Sequence, residues 1–462
     1  MEEYIKKLLE QVRFQKAHKA IEDEIRAHIE DQIEDNMSEG MDKETAEKRA
    51  VEDMGNPVDV GIELDKVHSP KIAWSVVIAA LTVAVFGMIL HVYLAKEFNS
   101  YHGLFFDKQN YKEVECRYIL GSLLGIFAMF LIYFIDYATV SKYAKVLGTG
   151  MTLLFVSGYF LIEKLGNNHI ILSHGLDNKE LITLGVVWKK SLPLMLLFIL
   201  LYPGILYKYR EQKSKAICKA LLWILVPCGI LFLDHEWVQA IILEMCMLVE
   251  LTISLRKEWI RVPKISTLVL IWPFFISLPL FVISFVYKYK PLTFYLQSFR
   301  GNDIKTAARM FGKSTVVYDL ISYVDDGVVN IPIGLLIPVS GMKGSRILSY
   351  ISLSWGIFAG LVVVGIIAGM IALGVKATSK IKNQLGVVLG SGCITFLIIN
   401  TIIGMFSGFG MIEVPYSFLP FVSGNGIVVS YVFLGIILSI YKYKDIYAEH
   451  VDIMIRDNVK DT

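Results

Sequence analysis

This 462-residue sequence lacks the features of a disulfide-bonded protein, a metal protein or a common soluble enzyme. Its 5 cysteines include no Cys-x-x-Cys pair and fall mostly in apolar runs, so we interpret them as small hydrophobic residues. It has no GxxxxGK[ST] loop, no GxGxxG after a strand, no HExxH and no GxSxG. His169 and His174 have no third ligand nearby in sequence, so no metal site is predicted. Nothing indicates a nucleic-acid partner.

Charged residues are also scarce, at 19%, whereas 55% of the chain is hydrophobic and its mean hydropathy is +0.54. This composition indicates a membrane protein with several spans. Residues 1–70 carry 19 acidic and 10 basic side chains, a net charge of −9, which leaves +11 for the rest. The chain therefore divides near Ser69 and Pro70. The polar opening segment shows no cleavable signal peptide.

Residues 1–70 are predicted to form a small cytoplasmic domain of four helices. Four isoleucines at four-residue spacing form one apolar stripe: Ile21, Ile25, Ile29 and Ile33. Asn56 and Pro57 are typical of a helix N-cap and first helical position. The acidic surface is either a partner-binding face or a solvated helix surface.

Residues 71–445 contain ten apolar segments of nearly membrane-spanning length, which predicts an all-α bundle of ten transmembrane helices. They are residues 72–95, 118–137, 143–162, 191–207, 216–233, 237–255, 266–287, 347–375, 385–412 and 426–443. Every connection from an even to an odd segment is basic, so these connections and both termini are predicted to be cytoplasmic. The tail is 446–462, and the long loop 288–346 is expected outside.

Carboxylates inside apolar segments are costly and therefore candidates for function. Glu244 is the deepest, and functional and structural interpretations of it remain equally open. Asp136 and Glu250 lie near cytoplasmic segment ends. We expect them to be structural, reaching water or pairing with Lys142 or Arg256.

Two loops could carry chemistry. Asp325 and Asp326 form a carboxylate pair in loop 288–346, although "DDG" is also an ordinary turn. The loop "EVPYSFLPFVSGNG", residues 413–426, is too broken for a helix and too apolar for a solvated connection. We expect it to fold against the outer mouth of the bundle and line a lipid-facing cleft, where glycine amides could meet a phosphate. Alternatively, it is a plain helix connection.

The last loop resembles the motif PLPFVSYGGSS of the SEDS family, the FtsW/RodA/SpoVE group, whose members have ten membrane helices. The matching residues are Leu419, Pro420, Phe421, Val422, Ser423 and Gly426, whereas Gly424 and Asn425 depart from the motif. The segment "INTIIGMFSGFG" is similar to the preceding family helix. The first 70 residues separately resemble permease prefix domain 1 through "ETAEKRAVEDMGNP".

The SEDS resemblance implies a protein of the bacterial cytoplasmic membrane that polymerises lipid II, the lipid-linked peptidoglycan precursor, with a penicillin-binding protein as partner. Lys190 matches a family lysine, but Val187 and Ser345 replace the family's glutamate and aspartate. The resemblance also suggests substrate contacts by Lys190, Ser345, Pro420, Ser423, Gly424, Asn425 and Gly426.

Glycosyl transfer needs a base and a cation near the pyrophosphate, so a divalent cation is a further expectation. Asp325, Asp326 and Glu413 are the candidate replacement carboxylates. The alternatives are a non-catalytic scaffold or regulator of wall synthesis, and a lipid or solute transporter. The transporter is suggested by Glu244 and by the helix-breaking stretches "WPFFISLP" and "LYPG".

Overall fold

The structure is a computed structural model of the whole chain. It describes residues 1–100, 109–167, 188, 191–234, 236–286, 348, 351, 357–408, 419–422 and 426–447. Within these ranges the regular elements are helices, and Gln212 and Ile260 form an isolated parallel β-bridge. The all-helical class predicted from the sequence is therefore confirmed for the described residues.

Four polar helices come first, as the sequence predicts for residues 1–70. They are α1 Glu2–Glu10, α2 Gln15–Ser38, α3 Lys43–Asp53 and α4 Pro57–Val67. The Asn56 side chain caps α4 by accepting a hydrogen bond from the backbone N–H of Val58, with Pro57 at the first helical position. The sequence signals for the start of this helix are thus confirmed.

The isoleucine stripe of α2 forms the core of these four helices, as its spacing predicts. Ile21, Ile25 and Ile29 are buried, and Ile33 packs against the same core while partly exposed. Helix α4 closes tightly on α1, since a Cβ atom at Gly61 would lie 2.5 Å from the carbonyl oxygen of Leu8. Each helix therefore buries one apolar face against its neighbours in this group.

Among the described residues, ten further α-helices and one 3₁₀-helix follow. The α-helices are α5 Trp74–Ser100, α6 Gln109–Phe134, α7 Tyr137–Asn167, α8 Phe198–Tyr207, α9 Lys215–Leu233, α10 Trp237–Arg256, α11 Lys264–Val286, α12 Ile357–Thr378, α13 Gln384–Gly408 and α14 Ile427–Lys442; the 3₁₀-helix Leu192–Leu197 leads into α8. By length and composition, six of the described helices could cross a membrane, and four apolar helices are shorter. The chain is thus a membrane protein by its helices, whereas ten crossings stay a prediction.

Small residues let helices α6 and α14 approach closely along their length. The contact points recur every four residues on both helices: Gly121 faces Ile427, Gly125 faces Tyr431, and Met129 faces Gly435. A Cβ atom at Gly125 would lie only 2.6 Å from the Tyr431 ring. Spacing of small residues by four is a common means of packing membrane helices, and here it places two parallel helices side by side.

The predicted cytoplasmic connections meet at one end of the bundle. The Lys208 ammonium donates to the carbonyl oxygen of Lys142 at 2.6 Å, and the Trp259 indole N–H donates to Gln384 Oε1 at 2.6 Å. At the same end, Lys71 forms an ion pair with Asp445 at 2.9 Å. The segments that the charge pattern assigned to one side therefore lie together, and the side of the membrane itself stays a prediction.

The prefix helices contact this same end through Asp136, between α6 and α7. Lys16 Nζ lies 2.7 Å from Asp136 Oδ2, and the hydroxyl of Tyr447 donates to the same carboxylate. The Phe14 and Tyr443 rings lie 6.0 Å apart beside this ion pair. Burial, and then the bond to Asp136, raise the pKa of Tyr447. The structural role expected for Asp136 is supported, but its basic partner is Lys16 and not Lys142.

Candidate functional site

Only part of the predicted site can be compared with the structure. Pro420, Gly426 and Glu244 are described, and all three are buried. The other predicted site residues lie outside the described residues: Lys190, Asp325, Asp326, Ser345, Glu413, Ser423, Gly424 and Asn425, together with Val187. Their proposed roles stay predictions.

The described part of the last loop is a buried turn at the end of the bundle opposite the prefix helices. Leu419 and Phe421 are fully buried, and the N–H of Val422 donates to the carbonyl oxygen of Leu419 at 3.3 Å. These apolar side chains pack inside the protein, as the plain-connection alternative expected of them. The lipid-facing cleft expected beside this loop stays a prediction.

Phe421 has an uncommon backbone conformation in this turn. Its φ angle is +62°, in the left-handed region that bulky residues rarely adopt. Its carbonyl oxygen accepts a hydrogen bond from the buried Tyr118 hydroxyl at 3.0 Å, and its ring meets Tyr431 edge-on at 5.3 Å. Such strain persists only where the surroundings hold it in place, and it often marks a functional segment.

Tyr118 is held by helix α5 on its other side. Its ring stacks on the His91 ring with the centroids 3.4 Å apart, and its hydroxyl fits over Gly87. A Cβ atom at Gly87 would lie 2.0 Å from that hydroxyl oxygen, so no larger residue fits there without displacing Tyr118. Gly87, His91 and Tyr118 together support the strained turn at Phe421.

His91 leaves one nitrogen unused in this cluster. Its Nδ1 lies 2.9 Å from the carbonyl oxygen of Gly87, which can only accept, so Nδ1 carries the proton. The Nε2 atom is buried and has no hydrogen-bond partner among the described residues. In the neutral ring Nε2 is an acceptor, so this end of the bundle contains a buried weak base. Sequence reasoning missed His91, although an imidazole within an apolar segment was a usable signal.

A second candidate feature is a pair of carboxyl groups in helix α10. Glu244 is 2% exposed and Glu250 is 0% exposed, and neither has a partner in the described part of the chain. Glu250 fits against Gly392 of α13, where a Cβ atom would lie 1.7 Å from its Oε1. The expectation that Glu250 reaches water or pairs with Arg256 is therefore wrong.

The two carboxyl groups do not form one site. Six residues in an α-helix correspond to a rotation of about 240°, so Glu244 and Glu250 face different neighbours. No group of three or more histidine, cysteine or carboxylate residues suited to a metal occurs among the described residues. Glu244 and Glu250 could therefore each exchange a proton or bind a cation, but not together at one site.

Comparison with known proteins finds similar chains among solved structures. No family model matches the chain, and no curated protein matches it. The chain is similar to one in a solved structure described as the structural coordination of polymerization and crosslinking by a peptidoglycan synthase complex. The two are 14% identical, the match covers 80% of this chain and 98% of the other, and the TM-score is 0.45. A similarity of this extent establishes neither a family nor an activity for this chain.

Proposed function

We propose that this chain is a SEDS-like protein of bacterial cell-wall synthesis that binds lipid II beside the turn at residues 419–422. The observation that carries the proposal is the strained, buried turn at Phe421, which Tyr118 holds in place. Phe421 belongs to the stretch that matches the SEDS motif. A plain helix connection needs no left-handed phenylalanine anchored by a neighbouring helix. Gly426 is the N-cap residue of α14 and ends the loop whose glycine amides are expected to meet a phosphate.

The residues favour lipid II binding without efficient polymerisation. The positions matched to the family carboxylates hold Val187 and Ser345, which are poor bases at neutral pH. His91, which stacks on Tyr118, has an acceptor at Nε2 without a partner among the described residues, but this atom is buried. The proposal therefore includes a divergent glycosyltransferase and a non-catalytic scaffold for a penicillin-binding protein, which a polymerisation assay distinguishes.

The test uses purified full-length protein in nanodiscs and measures lipid II binding and polymerisation. Tyr118→Phe removes the hydroxyl that holds Phe421 and should weaken binding about fivefold, since one hydrogen bond contributes about 1 kcal/mol. Tyr441→Phe is the matched control, because the Tyr441 hydroxyl makes no hydrogen bond among the described residues. Equal affinities for the parent and both variants, or no binding by the parent, would contradict the proposal.

Transport is a second candidate function, favoured by the two carboxyl groups of α10 that have no partner among the described residues. Membrane-buried carboxyls commonly mark ion or proton pathways, and Pro203 and Pro227 lie inside helices α8 and α9, which pack near α10. Transport predicts substrate-dependent proton flux in proteoliposomes that Glu244→Gln or Glu250→Gln abolishes. Lipid II binding without such flux would support the first function.

A further inference from the structure

A basic groove lies at the predicted cytoplasmic end of the bundle, far along the chain from the turn at Phe421. It forms where the connections 208–214 and 257–263 meet, and its cavity measures about 710 Å³. That volume is within the usual range for small-ligand pockets, about 300–1,000 Å³. Its lining includes six charged side chains, those of Arg210, Glu211, Lys257, Glu258, Arg261 and Lys264.

The walls of the groove are held by backbone bonds between the two connections. The N–H of Glu211 donates to the carbonyl oxygen of Trp259 at 2.7 Å. The N–H of Arg261 donates to the carbonyl oxygen of Gln212 at 3.0 Å. Glu211 and Glu258 both have left-handed φ angles, +67° and +61°. The Trp259 side chain is 1% exposed and is bonded to Gln384, which ties the groove to helix α13. These bonds give the groove a defined shape.

The groove carries an uncompensated positive charge. Glu211 pairs with Arg210 at 3.7 Å, and Glu258 pairs with Lys264 at 2.6 Å. Lys257 and Arg261 are exposed and their side chains have no partner among the described residues. A concave surface with two unpaired cations concentrates anions, and an arginine beside a lysine suits the geometry and charge of a phosphate group.

We propose that this groove binds a phosphate-bearing anion through Lys257 and Arg261. Its position between the ends of α9, α10 and α11 at the predicted inner membrane surface favours an anionic phospholipid headgroup as the source. A soluble phosphate compound has the same recognition chemistry. This site is separate from the turn at Phe421, so it does not depend on the proposed function.

The simplest competing explanation is that these bases only set membrane orientation. Lysines of cytoplasmic connections do this without binding any ligand. Lys213 and Lys215 provide the control, because they are exposed, lie in the same connection or the helix start beside it, and do not line the groove. Removing them deletes two positive charges from the same surface.

The experiment uses full-length protein in zwitterionic nanodiscs and measures the binding of two probes, short-chain phosphatidylglycerol and inorganic pyrophosphate. Lys257→Ala/Arg261→Ala should weaken binding at least about tenfold, whereas Lys213→Ala/Lys215→Ala should change it less than about twofold. Lys257→Arg/Arg261→Lys should keep most of the affinity. Size-exclusion profiles verify folding, and the single variant Arg261→Gln replaces the double variant if that one aggregates.

Each outcome supports or overturns the proposal. Binding of phosphatidylglycerol alone identifies a lipid site, binding of pyrophosphate alone identifies a site for a soluble phosphate compound, and binding of both identifies a general phosphate site. All three support the groove if the groove variants lose affinity selectively. Failure of the parent to bind either probe, or equal losses in the groove and control variants, overturns it.

Discussion

Glu250 shows how a single residue in this protein departs from what packing alone would favour. Its carboxyl group is fully buried in helix α10, lacks a partner among the described residues, and occupies space left by Gly392. A buried polar group without a partner costs about 1–3 kcal/mol. Proteins retain such a group where it serves activity and not stability.

Replacing this carboxyl group with an apolar side chain should therefore stabilise the protein. We expect Glu250→Leu to raise the free energy of unfolding by about 1 kcal/mol or more, because it removes the uncompensated polar group. Thermal unfolding of the purified protein in detergent is the measurement. Glu34→Leu, at an exposed position of α2, should stay within about 0.5 kcal/mol of the parent. A lower unfolding midpoint for Glu250→Leu would show that the carboxyl group has a stabilising partner.

At the scale of elements, the end of helix α1 is tied to helix α4 by one carboxylate. Asp65 accepts hydrogen bonds from the backbone N–H and the Nε of Arg13, both at 2.9 Å, and its Oδ2 lies 2.8 Å from Arg13 Nη2. The Arg13 side chain, with its backbone N–H, lowers the pKa of Asp65. This stabilisation is fully present above the ordinary aspartate pKa and is lost as pH falls through the lowered pKa of the folded state.

The prediction for this element concerns the fragment 1–70, which we expect to fold alone on its isoleucine core. Asp65→Asn should reduce its free energy of unfolding by about 1 kcal/mol at pH 7, with the difference from the parent shrinking below about pH 4. Circular dichroism at several pH values measures this. Glu52→Gln removes the same charge at an exposed position and should have little effect. A fragment without helical signal, or a pH-independent difference, would contradict the prediction.

At the scale of the whole molecule, the prefix helices and the bundle are joined through Lys16 and Asp136. Asp136 is 6% exposed and is shared between Lys16 and Tyr447, so it links the prefix domain, the α6–α7 junction and the chain beyond α14. A buried carboxylate that loses its cationic partner is strongly destabilising. The position of the prefix domain on the bundle therefore depends on this one contact more than on exposed ion pairs.

Reversing the charge of Lys16 should loosen the prefix domain without unfolding it. In Lys16→Glu, hydrogen exchange around residues 136–138 and 443–447 should speed up by about tenfold or more, because like charges would then face each other at Asp136. Lys19→Glu is the matched control, since Lys19 is exposed and has no ion pair among the described residues. Unchanged exchange in Lys16→Glu would contradict this prediction and show that other contacts, such as that of Phe14 with Tyr443, hold the domain.

Signals between residues close in sequence were sufficient to predict the helices and their order along the chain. The isoleucine spacing of α2, the Asn56–Pro57 start of α4 and the apolar runs each depend on residues a few positions apart, and the structure agrees with them. The basic connections likewise predicted which segments lie at one end of the bundle, because membrane insertion responds to charge near each span. Sequence therefore determined the class, the helices and the grouping of their ends.

Tertiary structure alone decided which side chains meet. Tyr118 bonds to Phe421 across 303 positions, and Lys16 reaches Asp136 across 120. No periodicity in one sequence records such a pairing, since it depends on how helices cross. The burial of Leu419 and Phe421 has the same origin, and so does the lack of partners for His91 Nε2 and Glu250 within the described ranges. Residues with similar local patterns face lipid, water or protein according to the packing of distant helices.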